Sequence, residues 1–483
     1  MAAGALVFAT SAAVLVLEIL AGRLLAPYVG VTLETSTGII GVVLAAISTG
    51  AWAGGRLADQ VDPRRVVGPL LLAGGAAALL VVPLVRSLGP SADGSAVSIV
   101  IVAAGAFFLP AALLSAVSPA VVKLQVRDLA TTGTTVGNLS ALGTAGAIVG
   151  TFVTGFLLVA QSPVRLIVTG LAVLTVAAGA MLTVVLGRRP PTATLTVAVA
   201  LAAAGSGLAA VVPERCPDTS VYYCARVERD PQRATGRILR LDTLRHSYVD
   251  LADPTHLEFA YTRSLAAVID GHPPGPLTAL HIGGGGFTMP RWLAATRPGS
   301  ESVVLELDPA LTDLARRQLG LRTGGALRVV DGDGRRSIAG QPVGAFDVVV
   351  GDAFGGMSVP WHLATREAVQ EVRRVLAPGG TYVLNAIDHP PQGFVKAEAA
   401  TLAAVFAHVA LVAPAPQLAG EEGGNHVLVA SDSPIDIAGL ERRLAARPDP
   451  QAALSGPGLE RFVDGAKVLT DDFAPVDQLL GRR

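Results

Sequence analysis

Seven long apolar stretches occupy the first two-fifths of the chain. Each has roughly the 20 mostly apolar residues that a membrane-spanning helix needs. They cover approximately residues 4–26, 34–55, 66–86, 96–122, 136–160, 164–186 and 193–212. The first stretch has neither a basic start nor a clear small-residue cleavage site, so it is interpreted as a retained helix rather than a signal peptide. Residues 1–212 are therefore predicted to form a transmembrane helical domain.

Positive charges are concentrated in alternate loops of this domain. The loops after the second, fourth and sixth stretches carry Arg56, Arg64, Arg65, Lys123, Arg127, Arg188 and Arg189. The opposite ends carry only Arg23, Arg86 and Arg165. Because cytoplasmic loops are enriched in Lys and Arg, the first set is expected inside the cell, together with the N-terminus. The pattern predicts a multi-pass protein of the cell membrane, and seven helices would leave the C-terminal domain extracytoplasmic.

Two motifs in the predicted bundle concern its packing and its orientation. Gly146 and Gly150 have the GxxxG spacing that lets helix backbones approach closely, which indicates packing rather than ligand binding. Residues 54–65 (GGRLADQVDPRR) resemble the loop between helices 2 and 3 of the major facilitator transporters, which is cytoplasmic in that family. This resemblance agrees with the distribution of loop charges.

Glu18 is a carboxylate inside the first apolar stretch. Such a group is costly in a membrane and is usually functional or paired. Two interpretations stay open: Glu18 has a function, or it faces the interior of the bundle and is hydrogen-bonded to a neighbouring helix.

The rest of the chain alternates between short apolar runs and amphipathic segments. A linker at 213–235 precedes predicted strands at 236–242, 246–250, 277–282, 302–307, 326–330, 346–350 and 381–387. Helices are predicted at 255–270, with Thr255 and Glu258 in capping-box spacing, and at 288–296, 309–319 and 362–376. Alternating strands and helices predict a mostly parallel, doubly wound α/β (Rossmann-like) sheet. The predicted domains are 1–212 (transmembrane), 213–250 (linker and small β segment) and 251–483 (α/β).

The charge of the soluble part argues against nucleic acid as a partner. Residues 213–483 carry 27 Lys and Arg residues against 32 Asp and Glu residues. Recognition of nucleic acid would require a basic patch, and this part of the chain is mildly acidic.

Chemically interesting residues follow the predicted parallel strands at the point where each strand ends. Gly283, Gly284 and Gly285 end the first of these strands, Glu306 ends the second, and Asp333 and Asp352 follow the third and fourth. Ligands of such sheets bind beyond the carboxyl ends of the strands. Alone, the glycines would indicate a tight turn and each acid a helix N-cap. Together they favour a nucleoside-containing ligand.

These residues resemble the S-adenosylmethionine-binding fold and, within it, the spermidine synthase (polyamine aminopropyltransferase) family. The resemblance covers about residues 213–480 and rests on GRILRLD (236–242), HSYVDLADPTHLEFAYTR (246–263), HIGGGGF (281–287), VVLELD (303–308), DGD (331–333), FDVVVGDAFGG (346–356) and LTDDFAPVD (469–477). The whole chain resembles the membrane-fused members of that family, in which a helical bundle precedes this domain.

The resemblance implies a role for each candidate residue. Glu306 would bind the ribose of the donor and Asp333 the adenine amine, beside the glycines at 283–285. Asp352 would accept a proton from the attacking amine, and Tyr261 would line the substrate channel. A carboxylate near the nucleophilic nitrogen is chemically sensible for this reaction. The donor would be decarboxylated S-adenosylmethionine or S-adenosylmethionine itself, as a co-substrate; no metal or prosthetic group is expected.

Several positions depart from the family pattern. Gly286 and Phe287 stand where the glycine loop normally carries an acid, and Gly355 replaces a second acid after Asp352. Thr262 and Arg263 follow the tyrosine in place of a polar residue and a glutamate. Fewer acids would weaken the attraction of a cationic amine, and Arg263 would repel one if it pointed into the site. The donor site is expected to be partly kept and the amine site eroded.

The two cysteines bear on the cellular compartment. Cys216 and Cys224 lie eight positions apart, directly after the predicted seventh helix. Two interpretations stay open: a disulfide, which would persist outside the cytoplasm, or two free thiols. An external domain would meet little cytosolic adenosyl donor, which favours a different ligand or a non-catalytic role.

Three functions are compatible with the sequence. The leading hypothesis is a membrane-bound transferase that moves an aminopropyl group from decarboxylated S-adenosylmethionine to a polyamine such as putrescine. The alternatives are a non-catalytic transporter or ligand-binding membrane protein with a degenerate synthase domain, and a methyltransferase on the same fold. The expected partners are the lipid bilayer and a small polyamine or nucleoside ligand, with a homodimer as one alternative for the oligomeric state.

Overall fold

The computed structural model describes residues 2–29, 33–92, 95–126, 128–186, 196, 200, 218–220, 222–356, 358–449 and 451–481. The chain divides into two compact units, Met1–Cys224 and Ala225–Arg483. The three-part division expected from the sequence stays a prediction. The predicted seventh apolar stretch, 193–212, lies outside the described residues except for the single residues 196 and 200.

The described part of the first unit contains six helices that are long and apolar enough to cross a membrane, here numbered spans 1 to 6. Their bounds are Ala3–Val29, Glu34–Gln60, Pro63–Ser91, Ala96–Gln125, Thr132–Leu158 and Val164–Val185. Spans 4 and 5 each include a five-residue π-helical segment, Ala104–Phe108 and Thr154–Leu158 respectively. These helices confirm the predicted all-α fold class of the N-terminal part.

Apolar side chains cover the outside of this unit as well as its core. Phe156, Leu174 and Val184 are among the large hydrophobic residues exposed on spans 5 and 6. A helix that is hydrophobic on all sides suits a lipid environment rather than water. The core lies mainly between spans 1, 2, 3 and 4, and Leu17 and Leu20 of span 1 are fully buried in it.

Glycines bring spans 1 and 5 into backbone contact. A Cβ atom added to Gly146 would lie 2.1 Å from the carbonyl oxygen of Phe8. One added to Gly150 would lie 2.7 Å from the carbonyl oxygen of Ala12. Neither position has room for a side chain, because the neighbour is backbone and cannot rotate away. The packing role predicted for this GxxxG pair is therefore what the two helices show.

Two polar contacts lie at the ends of the spans, one between two spans and one between a span and the segment before the second unit. Nζ of Lys123, at the end of span 4, is 2.6 Å from Oδ1 of Asp59, at the end of span 2. A guanidinium nitrogen of Arg23, near the end of span 1, donates to the carbonyl oxygen of Ser220 at 2.9 Å. Ser220 follows a two-residue strand, β1, at Asp218–Thr219.

The second unit begins with three antiparallel strands, β2 (Cys224–Arg229), β3 (Gly236–Leu241) and β4 (Leu244–Asp250). The predicted capping box after them is wrong, because the helix begins at Ala260 rather than at 255. Asp253 accepts hydrogen bonds from both the backbone N–H and the hydroxyl of Thr255. This side-chain turn competes with helix formation at Thr255.

An eight-stranded sheet forms the rest of the second unit, in the order β12-β10-β11-β9-β8-β5-β6-β7. The strands are β5 Thr278–Ile282, β6 Glu301–Glu306, β7 Leu327–Asp331, β8 Phe346–Gly351, β9 Leu376–Asp388, β10 His408–Ala413, β11 Gly424–Ser431 and β12 Ala452–Ser455. Strands β5 to β9 pair in parallel, and β10 to β12 add an antiparallel edge. The order of β5 to β9 reverses direction at β5, so the predicted doubly wound fold is confirmed.

Helices cover both faces of this sheet. They are α1 Ala260–Ile269, α2 Thr288–Thr296, α3 Pro309–Gln318, α4 Gly334–Ala339, α5 Arg366–Val375, α6 Gly393–Ala403, α7 Ala415–Leu418, α8 Ile437–Ala445, α9 Pro457–Phe462 and α10 Val476–Leu479. Because both faces are covered, adjacent residues of β8 are all buried: Val349 packs in one apolar cluster, and Val348 and Val350 pack in the other. This double burial explains the continuous apolar run of the strand.

We predict that the glycine contacts of the bundle respond differently to the same small substitution. Gly146→Ala should destabilise the full-length protein by about 1–3 kcal/mol, because the added methyl group must push span 1 away. Gly137→Ala, on the same helix, is the matched control, since a Cβ atom there meets nothing within 4 Å. Thermal unfolding of both variants in detergent is the measurement, and equal unfolding temperatures would contradict the packing described here.

Candidate functional site

A glycine turn joins the end of β5 to α2. Gly283 and Gly285 have φ angles of 98° and 51°, which residues other than glycine rarely adopt. A Cβ atom on Gly283 would lie 2.4 Å from the carbonyl oxygen of Asp352, at the end of the neighbouring strand β8. The turn therefore needs glycine both for its backbone angles and for its close contact with β8.

Glu306 connects this turn to the end of β6. Its side chain is 5% exposed, and its Oε2 atom accepts hydrogen bonds from the backbone N–H groups of Gly284 (2.8 Å) and Gly285 (3.3 Å). Its Oε1 atom accepts from the N–H of Asp308 at 2.8 Å. Burial raises the pKa of Glu306, and these three hydrogen bonds oppose the rise. A carboxylate has about four acceptor directions, so about one remains for a ligand hydroxyl.

Asp333 begins helix α4 after β7. Its Oδ1 atom accepts from the backbone N–H of Arg336 at 3.0 Å, which is an N-cap contact. Its Oδ2 atom lies 3.0 Å from Nε2 of His362, in the turn that precedes α5. The helix-cap interpretation of this acid is therefore realised in the fold, and its predicted contact with adenine stays a prediction.

Asp352 lies at the centre of a chain of hydrogen bonds after β8. The Tyr261 hydroxyl donates to its Oδ2 atom at 3.2 Å, and the Asn385 amide donates to its Oδ1 atom at 2.8 Å. The amide of Asn425 in turn donates to Oδ1 of Asn385 at 3.0 Å. Tyr261 and Asp352, 91 positions apart in sequence, are thus brought together as the predicted site requires.

The protonation of this pair follows from its surroundings. Burial raises the pKa of Asp352 to about 6, although the hydrogen bonds from Asn385 and Tyr261 lower it. Burial and the nearby charge of Asp352 raise the pKa of Tyr261 well above its usual value. At pH 7 the carboxyl group is therefore mostly ionised and the phenol stays a donor. A half-buried carboxylate whose pKa lies close to neutral pH is suited to accept a proton from a bound substrate.

Strand β4 contributes two further residues to the glycine turn. Oγ of Ser247 accepts a hydrogen bond from the N–H of Gly286 at 3.0 Å, and it lies 3.2 Å from Nδ1 of His246. A Cβ atom on Gly285 would come within 3.1 Å of the His246 ring. Burial lowers the pKa of His246 to about 4, so its ring is neutral at pH 7.

Asn385, Asn425, His246 and His362 were not identified from the sequence as site residues. Asn385 was the most accessible to sequence reasoning, because it is a buried amide inside an otherwise apolar strand. Such a group needs hydrogen-bond partners, which indicates a polar network. The other three gave no local signal.

The expectation for Arg263 is corrected by its contacts. Its guanidinium group binds the Asp449 carboxylate and the carbonyl oxygens of Leu257 and Glu258. These three acceptors compensate its charge, so it does not act as an unpaired cation toward an amine. Within the described residues, no group of three or more His, Cys, Asp or Glu side chains could hold a metal ion.

The second unit is similar in sequence to known enzymes. Residues 280–384 match the family described as "Methyltransferase domain". The chain is 29% identical over 239 residues to the polyamine aminopropyltransferase of Vibrio vulnificus (strain CMCP6), covering 46% of this chain and 75% of the relative. It is 31% identical over 284 residues to the polyamine aminopropyltransferase of Mycobacterium tuberculosis (strain ATCC 25618 / H37Rv), covering 54% of this chain and 53% of the relative. The chain thus spans about half the length of that second relative.

A solved structure agrees with these relatives. A probable spermidine synthase from Corynebacterium glutamicum ATCC 13032 matches with a TM-score of 0.50 and 29% identity, covering 53% of this chain and 96% of that one. The second unit is therefore spermidine synthase-like in sequence and fold, as its motifs predicted.

We predict that Asn385 keeps the Asp352 carboxyl group acidic. Asn385→Ala removes a donor to the ionised form, so the pKa of Asp352 should rise above about 6. Asn425→Ala should raise it less, because Asn425 reaches Asp352 only through Asn385. Carbon NMR titration of protein labelled at aspartate carboxyl carbons measures the pKa, with Asp352→Asn identifying the signal. An unchanged pKa in Asn385→Ala would refute this coupling.

Proposed function

We propose that this protein is a membrane-bound transferase that moves an aminopropyl group from decarboxylated S-adenosylmethionine to a diamine such as putrescine. The observation that carries the proposal is the Asp352 carboxylate, hydrogen-bonded to Tyr261 and Asn385 beside the glycine turn. The sequence similarity to polyamine aminopropyltransferases supports the choice of reaction. The six apolar helices of membrane-spanning length in the described part of the first unit support attachment to a bilayer.

The donor site in this proposal follows the carboxyl ends of β5, β6 and β7. The backbone at Gly283, Gly284 and Gly285 would accommodate the donor, and the remaining acceptor direction of Glu306 would take a ribose hydroxyl. Asp333 would accept from the adenine amine while keeping its contact with His362. The carboxylate of Asp333 is not fully buried, which leaves room for an additional donor.

The reaction transfers a carbon from sulfur to nitrogen. A neutral amine attacks the carbon bound to the donor's positive sulfur; the N–C bond forms as the C–S bond breaks, and the bonding pair stays on sulfur as a neutral thioether. The nitrogen then holds one proton too many, and an Asp352 oxygen takes it. Because Tyr261 and Asn385 each donate to one oxygen of Asp352, the carboxylate is held in one orientation during this step.

A methyltransferase on the same fold is the second candidate. The match of residues 280–384 to a methyltransferase domain favours it. The two functions differ in the group transferred, so mass analysis of the product after incubation with each donor distinguishes them: an aminopropyl group from the decarboxylated donor, or a methyl group from S-adenosylmethionine.

We predict that Asp352→Asn lowers turnover by at least about 10²-fold, because the variant cannot accept the amine proton. Binding of the decarboxylated donor, measured by calorimetry on the full-length protein, should change by less than about threefold. Asp347→Asn is the matched control: Asp347 is on β8, the strand that Asp352 follows, and accepts a hydrogen bond from the N–H of Thr278 at 2.8 Å, which asparagine can still accept. Unchanged turnover in Asp352→Asn would rule out the proposed base.

We also propose that the second unit lies on the extracytoplasmic side of the membrane, where the proposed transfer reaction requires a supply of the adenosyl donor outside the cytoplasm. The bond between Lys123 and Asp59 joins the ends of spans 2 and 4, which carry the basic loops expected inside the cell. Arg23, at the opposite end of span 1, binds Ser220, five residues before the second unit begins. Cys224 is disulfide-bonded, and disulfides persist outside the cytoplasm.

We predict that a membrane-impermeant thiol reagent labels Cys224 in intact cells only after mild reduction. The physical reason is that the disulfide would lie on the outer side of the membrane, which a polar reagent does not cross, and reduction would free its thiols. Gln60→Cys, at the end of span 2, is the control and should be labelled only after the membrane is permeabilised. Labelling of Cys224 only in permeabilised cells would reverse the assignment.

A further inference from the structure

Spans 2 and 5 are equivalent in sequence and in contacts. Gly41, Gly50, Ala51 and Gly54 of span 2 recur 96 positions later as Gly137, Gly146, Ala147 and Gly150 of span 5. Added Cβ atoms on Gly50 and Gly146 would each lie 2.1 Å from a backbone carbonyl oxygen, of Ala112 in span 4 and Phe8 in span 1 respectively. Spans 2 and 4 therefore pack as spans 5 and 1 do.

The same relation holds for the remaining pair, spans 3 and 6. A Cβ atom on Gly75 would meet the N atom of Val176 at 2.8 Å, and one on Gly179 would meet the N atom of Leu72 at 2.6 Å. Positions 72 and 75 are each 104 before 176 and 179, and the same interval separates Phe8 from Ala112. The exchange of spans 1, 2 and 3 with spans 4, 5 and 6 thus reproduces each of these contacts.

This relation makes the bundle an inverted repeat. Each repeat has three spans, and an odd number of crossings means that equivalent spans run through a membrane in opposite directions. Inverted repeats of this kind build many secondary transporters, in which the substrate binds near the middle of the membrane between the repeats. The repeat is more than is needed to anchor a soluble domain, since one apolar helix would suffice for that.

Glu18 breaks the symmetry of the repeat. Its equivalent in span 4, 104 positions later, is Val122. Among the six described spans, Glu18 is the only Asp, Glu, Lys or Arg in the middle third of a span; the others lie closer to a span end. It is half-buried and has no hydrogen-bond or ion-pair partner among the described side chains. An ionisable group at this depth indicates a substrate or ion pathway.

The surroundings of Glu18 favour an organic cation. Ser11 lies two helical turns before it on the same face and offers a hydroxyl group, and a Cβ atom on Gly22, one turn after it, would meet nothing within 4 Å. Glu18 is a single carboxylate, and in the described part of the chain no group of three or more His, Cys, Asp or Glu side chains could hold a metal ion. One carboxylate suffices as the anionic partner of a protonated amine, which donates a charge-assisted hydrogen bond to it.

We propose that the six-span bundle is a transport unit for protonated diamines and that Glu18 is its cation-binding carboxylate. The choice of a diamine rests on the transferase activity proposed above. The movement of the cation rests on the inverted repeat and on Glu18, and it is measured independently of any transfer reaction. The bundle therefore has an activity of its own beside that of the second unit.

Uptake of radiolabelled putrescine by liposomes that contain the purified full-length protein tests this proposal. With an inside-negative potential, wild type should take up putrescine in a saturable manner, and Glu18→Gln should reduce the rate at least about tenfold. Glu34→Gln, the same change at the start of span 2, should keep wild-type uptake. Asp352→Asn should also keep it, so that failure of the transferase and failure of transport are distinguishable.

Three results would overturn the proposal. Wild type could take up no more putrescine than protein-free liposomes, or Glu18→Gln could equal wild type. A pH-sensitive dye inside the liposomes could also report a Glu18-dependent proton flux without putrescine uptake, which would make the site one for protons alone. If Glu18→Gln does not fold, Glu18→Asp replaces it: with the carboxylate one methylene shorter, uptake should persist with a raised KM, and an unchanged KM would refute the role of Glu18.

Discussion

The buried Glu306 carboxylate holds the site edge of the second unit together. It accepts three backbone hydrogen bonds, two from the glycine turn after β5 and one from the start of α3. An ionised group with so little exposure is stable only when such donors compensate its lost hydration. The same bonds fix the turn beside β8, so the position of Asp352 relative to the turn depends on a residue that need not take part in proton transfer.

The two units solve the burial of polar groups in different ways. In the second unit, polar side chains on and after the strands bind one another, as Asn425, Asn385 and Asp352 do. In the bundle the described helices satisfy their own backbone, and association depends on the close contact of glycine with a neighbouring backbone. Glu18 follows neither pattern, because it is an ionisable side chain in the middle of a span.

Much of this architecture was predictable from the sequence, and the failures have identifiable causes. Long apolar runs predict helices because no other element satisfies the backbone in lipid, and strand ends predict the ligand edge because parallel strands end together. The start of α1 was misplaced because Asp253 captures Thr255 locally. Asn425 joins the network of Asp352 only through Asn385, 40 positions earlier on another strand, so no local pattern could identify it. The contacts of Arg263 likewise depend on Asp449, 186 positions later.

The contacts in the structure change the expected effect of the departures from the family pattern on the charge of the site. Acids are missing at Gly286 and Gly355, yet Asp352 has a polar network of its own and Arg263 is paired with Asp449. The loss of acids therefore reduces the negative charge around an amine without leaving an opposing positive charge. In the transferase proposed above, a less negative site would need a higher amine concentration for the same occupancy.

The pKa of Asp352, about 6, has a consequence for where such a domain could work. A cytoplasmic enzyme operates in a buffered medium, but a domain on the outer face experiences the acidity of its surroundings. At pH 5 about nine-tenths of a group with this pKa is protonated. An acidic outer medium would then prevent Asp352 from accepting a proton, without any regulatory ligand. A return to neutral pH would restore this ability.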